Sequence, residues 1–331
     1  MTAAVPKAEL HVHLEGTATP DLVRSIAARN GLEVPEGVFA GPDRFAWRDF
    51  LDFLNTYNMA ASVIRTGEDY RDIAYEYLAA CARDGTIYVE LTASVDHARL
   101  AGLSDAEHWE GIAAGIDDAR ADHGIEARIL SVAVRNFGVE RAIEIATHTA
   151  GRPHPYVVGF SLAGDEAGYP PEPYLEAYRI VAAAGLGCTV HAGEWAGAAS
   201  VRGALELPIT RIAHGVRAIE DPALVAELAR RQVTLEVCPT SNVVLGVFPS
   251  FEEHPFPALR EAGIPLTLGS DDPPYFGASV AGEYAIAREH FGLGDDELLG
   301  ITRTAVDASF AEPALRDLLL TRLANSHGAS L

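Results

Sequence analysis

A chain of 331 residues, 48% of them hydrophobic, can bury a sizeable core as one domain or two. Its 47 Asp plus Glu against 25 Lys plus Arg give a formal charge of −22, a field that repels phosphate backbones and anionic lipid, so nucleic acid and membrane are excluded as expected partners. Three scattered cysteines without a CxxC pair exclude a disulfide framework and a thiolate zinc site; no apolar run approaches the ~20 residues of a membrane span, and Met1–Lys7 lacks an apolar leader, so a cytoplasmic protein is expected.

The first predicted strand, Ala8–Leu14, carries Glu9-Leu10-His11-Val12-His13. Side chains alternate along a strand, so His11 and His13 point to one side. Alone, such a pair is weak, because most are surface or core histidines. Residues 17–85 then read as a helical insertion, with Trp47, Phe50, Leu51 and Leu54 at helical spacing and Phe53 and Tyr57 beside them. That stretch fits an amphipathic helix packed on a scaffold, or a lid whose aromatic residues wall a pocket, and one insertion can do both.

Seven more apolar strands follow: Ile87–Ala93, Ala127–Val134, Val157–Leu162, Gly187–His191, Ile212–His214, Thr234–Cys238 and Leu266–Gly269. They alternate with helical stretches and read as strands buried on both faces. Eight βα units predict an α/β fold, a TIM-type (β/α)8 barrel formed by residues 1–331 as a single domain, with the helical insertion after its first strand. An open doubly wound sheet would call for a Gly-rich phosphate turn after an early strand, and none is present. Asp295-Asp296-Glu297 suits the start of a helix, and the tail Asn325–Leu331 is expected to fray.

In such barrels active sites stand at the C-terminal strand ends. There the chain places His191-Ala192-Gly193-Glu194, His214-Gly215 and Ser270-Asp271-Asp272. His97, His108, His123, His148, His154, His254, His290 and His327 fall in helical or loop stretches and read as surface or capping histidines. His11, His13, His191 and Asp271 form a candidate set for one Zn2+, although iron or another divalent ion suits the same donors. The chain's one lysine, Lys7, precedes the histidine pair, so a lysine-bridged binuclear centre is excluded. Glu194 is placed to shuttle protons, His214 to orient an attacking water, and Asp272 to face a substrate donor or protonated ring nitrogen. Glu15 reads as a candidate structural acid, and Glu166 more firmly so. Asp165 reads as a buried hydrogen-bond partner, Cys238 as a small buried hydrophobe, and Ser241 and Asn242 as ties for the seventh loop.

The stretches Pro6-Lys7-Ala8-Glu9-Leu10-His11-Val12-His13-Leu14-Glu15-Gly16, Leu162-Ala163-Gly164-Asp165-Glu166, Thr189-Val190-His191-Ala192-Gly193-Glu194, Arg211-Ile212-Ala213-His214-Gly215, Cys238-Pro239-Thr240-Ser241-Asn242 and Ser270-Asp271-Asp272-Pro273-Pro274 resemble the adenosine deaminase family of the amidohydrolase superfamily. The resemblance spans nearly the whole chain. It implies hydrolytic deamination at C6 of a purine, with adenosine and 2′-deoxyadenosine as expected substrates. It implies metal ligands His11, His13, His191 and Asp271, and catalytic roles for Glu194, His214 and Asp271. It implies substrate contacts at His13, Glu15, Gly164 and Asp272, with Glu194 protonating N1, Asp272 meeting N7 and the Gly164 backbone meeting N3. Glu15 departs from the adenosine-specific pattern, where an aspartate meets the sugar 5′-hydroxyl. Free adenine and modified 6-aminopurine nucleosides are therefore alternative substrates. A cytidine-deaminase-type site lacks its PCxxC pair here, and a non-catalytic binding barrel would have lost one of these groups.

Overall fold

The computed structural model describes residues 5–328. Its strands are β1 Lys7–His13, β2 Thr86–Ser94, β3 Glu126–Val134, β4 Val157–Ala163, β5 Gly187–Cys188, β6 His191–Ala192, β7 Arg211–His214, β8 Thr234–Val237 and β9 Leu266–Leu268. Every pairing is parallel, in two ladders, β1 to β5 and β6 to β9. Two sets of backbone bonds join the ladders into a ring. Thr189 N donates to Phe160 O and Ala213 N to Val190 O, so residues 187–192 run as one stave between β4 and β7. At the other seam Asp271 N donates to His11 O and His13 N to Asp271 O, a parallel bridge from beyond β9 back to β1.

The expected eight staves are therefore present, but the fifth is two short pieces. Its interruption has a visible cause: the Tyr178 hydroxyl takes the Thr189 carbonyl at 2.7 Å. A second irregularity lies in β1, where Glu9 to Val12 pair with Val89 to Leu91, three steps against two. Such a bulge re-aims side chains. Glu9 reaches Tyr77 and Ser270, whereas His11 turns towards His191.

Between β1 and β2 run α1 (Pro20–Arg29), α2 (Phe50–Ala61) and α3 (Gly67–Arg83). Thr19, Asp49 and Thr66 accept from backbone N–H groups of the following turn, which starts each helix. After β2 come α4 (Val95–Leu100) and α5 (Asp105–His123). The α3 and α5 helices pack so closely that a Cβ on Gly111 would lie 2.3 Å from Gly67 O. So α3 belongs to the outer ring, and α2 is the part of the 17–85 insertion that lies over the mouth. Asp295 does begin a helix, running to Ala308, with Gly294 N bonded to Glu297. The tail expected to fray from Asn325 is helical through Gly328, and 329–331 lie outside the described residues, as does the His327 side chain.

At the foot of the barrel, Arg211 is buried between Glu90 at 2.7 Å and Glu236 at 2.6 Å, with the Phe310 ring 3.6 Å away. Phe310 seals this end against Gly159 and Gly187, where a Cβ would lie 2.7 and 2.1 Å from its ring. Among the described residues no helix is long and apolar enough to cross a membrane.

Candidate active site

Four donors meet where β1, β6 and the β9 end converge. His13 and His191 bring their Nε2 atoms to 3.2 Å, and both His11 Nε2 and His13 Nε2 lie 3.4 Å from Asp271 Oδ1. Such crowding of ring nitrogens around one carboxylate oxygen suits a cation at their centre. The tautomers agree, because His11 Nδ1 faces Glu236 O at 3.2 Å and His191 Nδ1 faces Leu162 O at 3.1 Å. Each Nδ1–H donates to a carbonyl, which leaves each Nε2 lone pair aimed inward. His11 Nε2 is buried and has no hydrogen-bond partner, which fits an atom that ligates a metal. His11, His13, His191 and Asp271 could thus hold a metal.

Backbone conformation is spent on this geometry. His214 and Asp271 take positive φ values of 61° and 63°, uncommon for residues with a Cβ. Ser241 Oγ donates to Asp271 Oδ2 at 2.6 Å. Asn242 Nδ2 stands 3.1 Å from His214 Nδ1. These two loop residues therefore tie site groups and not only the seventh loop.

Glu194 and His214 face each other, with Oε2 and Nε2 3.6 Å apart. Burial, and then the charges of Asp271 and Glu166, push the Glu194 carboxyl well above the ordinary carboxylate range. Asp272 is pushed up in the same direction by burial and by Asp271, Glu194 and Glu15. Its Oδ1 is buried without a hydrogen-bond partner. Gly16 makes room for it: a Cβ there would stand 1.7 Å from that oxygen. Glu15 is buried, accepting from Ser94 N at 2.9 Å, Tyr57 at 3.3 Å and Tyr70 at 3.4 Å, and burial raises it to about 7.

The pocket over these groups is walled by Phe50, Phe53, Leu54 and Tyr57 of α2, with Gly164 opposite. The spacing of those four is one helix face, so α2 both packs on the barrel and lines the mouth. Leu51, expected with them, is 62% exposed, because it falls on the opposite side of the helix. Gly164 has φ 107°, and a Cβ there would meet Asn136 Oδ1 at 2.3 Å. Glu166 accepts from the backbone of Glu194, Trp195 and Ala196 at 3.1, 2.7 and 3.2 Å, which makes it the anchor of the Glu194 turn. Asp165 is half-buried and ties Gly168 N, so it is a turn residue and not a buried one.

Sequence reasoning missed four contributors. His97, expected on the surface, lines the pocket and bonds Asn58 at 2.8 Å. His254, also expected there, is buried 3.2 Å from Asn242 Oδ1. His108 is likewise buried, stacked on Tyr70. Arg135, fully buried, donates to His191 O at 2.7 Å and braces that stave. A lone buried cation carries no spacing signal, so nothing in the sequence marked it. Cys238 is buried and free, as expected of a small core residue.

A closed parallel barrel with this donor set and these buried acids is the arrangement of a hydrolase of the amidohydrolase type. Residues 6–326 match the family model described as adenosine deaminase, and the chain belongs to that family of purine deaminases. It is 48% identical over 318 residues to an adenine deaminase of Chelativorans sp., covering 96% of this chain and 97% of that one. It is 45% identical over 324 residues to an adenine deaminase of Sinorhizobium medicae, covering 98% and 99%. Among solved structures, the adenine deaminase from Arthrobacter aurescens superposes with TM-score 0.89 at 30% identity, over 97% of this chain and 99% of that one. An amidohydrolase from Burkhoderia ambifaria with bound Zn superposes at 0.88 with 25% identity, over 99% and 92%.

Proposed function

We propose that this protein hydrolyses free adenine to hypoxanthine and ammonia. Hydrolytic deamination of a 6-aminopurine is the reaction its family membership supports. The observation that carries the mechanism is the convergence on one pocket of two acids whose protonated forms burial favours, Glu194 and Asp272, with His214 and with His13, His191 and Asp271 of the ligand set, His11 standing behind them. Adenosine, the substrate first expected from the resemblance, is the weaker reading. The relatives with 43–48% identity are named adenine deaminases, and Glu15 supports the same direction. Its carboxyl already accepts from Ser94, Tyr57 and Tyr70, and it is not among the residues that line the pocket.

His11, His13, His191 and Asp271 would hold one Zn2+. A bound zinc supplies Lewis acidity, lowering the pKa of a water from about 15.7 to about 7. Glu194 gives its proton to N1 of the purine, which makes C6 electrophilic. Asp272, also protonated, donates to N7 and orients the ring. The Gly164 backbone meets N3, where only a glycine lets main chain come so close. His214 donates from Nε2 to the oxygen adding at C6. Glu194, left ionised, takes a proton from the adding water and hands it to the amino group. The C6–N bond breaks, ammonia leaves, and the hydroxyl proton returns to Glu194 as the carbonyl of hypoxanthine forms.

The test is turnover of adenine, adenosine and 2′-deoxyadenosine supplied separately, followed by ammonia release and ultraviolet change. Adenine turnover without nucleoside turnover is the expected result. Nucleoside turnover without adenine turnover overturns the substrate and leaves the chemistry.

A further inference from the structure

Behind His214 stands a chain of polar groups that the mechanism does not use. His254 is 3% exposed, and its ring sits between Phe248 and Phe291, at 5.2 and 5.6 Å. Burial lowers its pKa to about 3, so it is neutral and carries one N–H. Which nitrogen carries it follows from one donor of fixed direction. Phe256 N opens a short helix, where backbone N–H groups lack intrahelical partners, and it lies 3.2 Å from His254 Nδ1. A backbone N–H can only donate, so Nδ1 accepts and the proton is on Nε2.

The next links follow in turn. His254 Nε2–H donates across 3.2 Å, so its partner on Asn242 must be the carbonyl oxygen Oδ1. That fixes the amide, and Asn242 Nδ2 donates across 3.1 Å to His214 Nδ1. His214 Nδ1 therefore keeps its lone pair, and the His214 proton stands on Nε2. That atom faces Glu194 Oε2 at 3.6 Å and Asp271 Oδ2 at 3.8 Å. One backbone donor thus sets the tautomer of an active-site imidazole through two side chains.

We infer that His254 and Asn242 are positioning residues that hold His214 as the Nε2–H tautomer, so that it donates into the pocket and cannot act there as a base. This rests on the proposed role of His214, but its first measurement needs no substrate. Ring 15N shifts of the zinc-loaded protein should show neutral His214 and His254, each protonated on Nε2. A His214 protonated on Nδ1 overturns the inference whatever the enzyme turns over.

The sharpest variant is Asn242→Asp. An ionised carboxylate still accepts from His254, but it must also accept from His214, which moves that ring's proton to Nδ1. With adenine as substrate, kcat should fall by up to about 10⁴-fold, the loss that a wrong imidazole tautomer causes in a serine protease triad, with KM and zinc content little changed. His254→Phe fills the cavity without a donor and should cost about 10-fold in kcat; His254→Gln, which can still donate to Asn242, should restore most of it. Unchanged His214 shifts in Asn242→Asp, or equal losses in His254→Phe and His254→Gln, would sink the proposal. Should Asn242→Asp fail to fold, the wild-type 15N pattern decides alone.

Discussion

The two ends of this barrel both bury charge, and they bury it in opposite ways. At the foot, Glu90 and Glu236 share one guanidinium, Arg211, with ion pairs of 2.7 and 2.6 Å and further bonds from Tyr88 and Thr189. At the rim, Glu194, Asp271 and Asp272 are buried with no arginine or lysine paired to them among the described residues. Desolvated carboxylates without counter-ions must be neutralised by a proton or a bound cation. The foot solves the problem inside the chain. On the proposed mechanism, the rim leaves it to be solved by a metal and by protons that can be handed on. Burial of an acid is therefore common to structure and chemistry, and the missing counter-charge separates them.

That contrast yields an ordered set of tests. The largest effect belongs to the rim. Glu194→Gln keeps shape and removes the transferable proton, so turnover should fall about 10²–10⁴-fold while metal content stays normal. A variant with near wild-type kcat would remove Glu194 from the chemistry. At the foot, Arg211→Met should cost about 3–5 kcal/mol of stability in urea unfolding, because it strands two carboxylates. Adding Glu90→Gln and Glu236→Gln should recover most of that. If Arg211→Met unfolds at the wild-type urea midpoint, the foot is not held by its ion pairs. A smaller effect is expected from Ser241→Ala, which takes one donor from Asp271. Such outer-shell losses cost about 10–100-fold in metal affinity, readable as faster zinc loss to a chelator. Equal rates in variant and wild type would confine Ser241 to the loop.

The legible part of this molecule was the part written in periodicity and motif. Strand alternation gave His11 and His13 a shared face, and the strand ends gave His191, His214, Asp271 and Asp272. Residues that act by reaching across the fold were not legible. His254 and Asn242 are 12 apart in sequence and meet through a loop, Arg135 reaches 56 residues to His191 O, and Gly16 matters because of Asp272. Nor could the β1 bulge be read, and strict alternation would have put Glu9 on the histidine face. The α2 face was legible by its spacing, but Leu51 shows the phase was not, since several aromatic residues fit more than one face.

Glu283 tests whether a missing counter-charge is enough to mark a working group. It is fully buried, accepts from Thr240 N at 3.3 Å, and has no hydrogen-bond partner at Oε1. It does not line the pocket. Burial pushes its carboxyl up to about 8, against about 4.3 in an unfolded chain. The folded state thus holds a proton that the unfolded state releases first, so this contribution is whole below about pH 4 and is lost as pH rises through about 8. Glu9 and Glu15, each raised to about 7, add to the same slope. Glu283→Gln has no proton to lose, so its melting temperature should match the wild type near pH 4 and exceed it near pH 8, with kcat unchanged. A parallel pH slope in both proteins would mean that Glu283 ionises freely in the fold. A loss of kcat would mean that counter-charge alone, without a place in the pocket, marks a group that works.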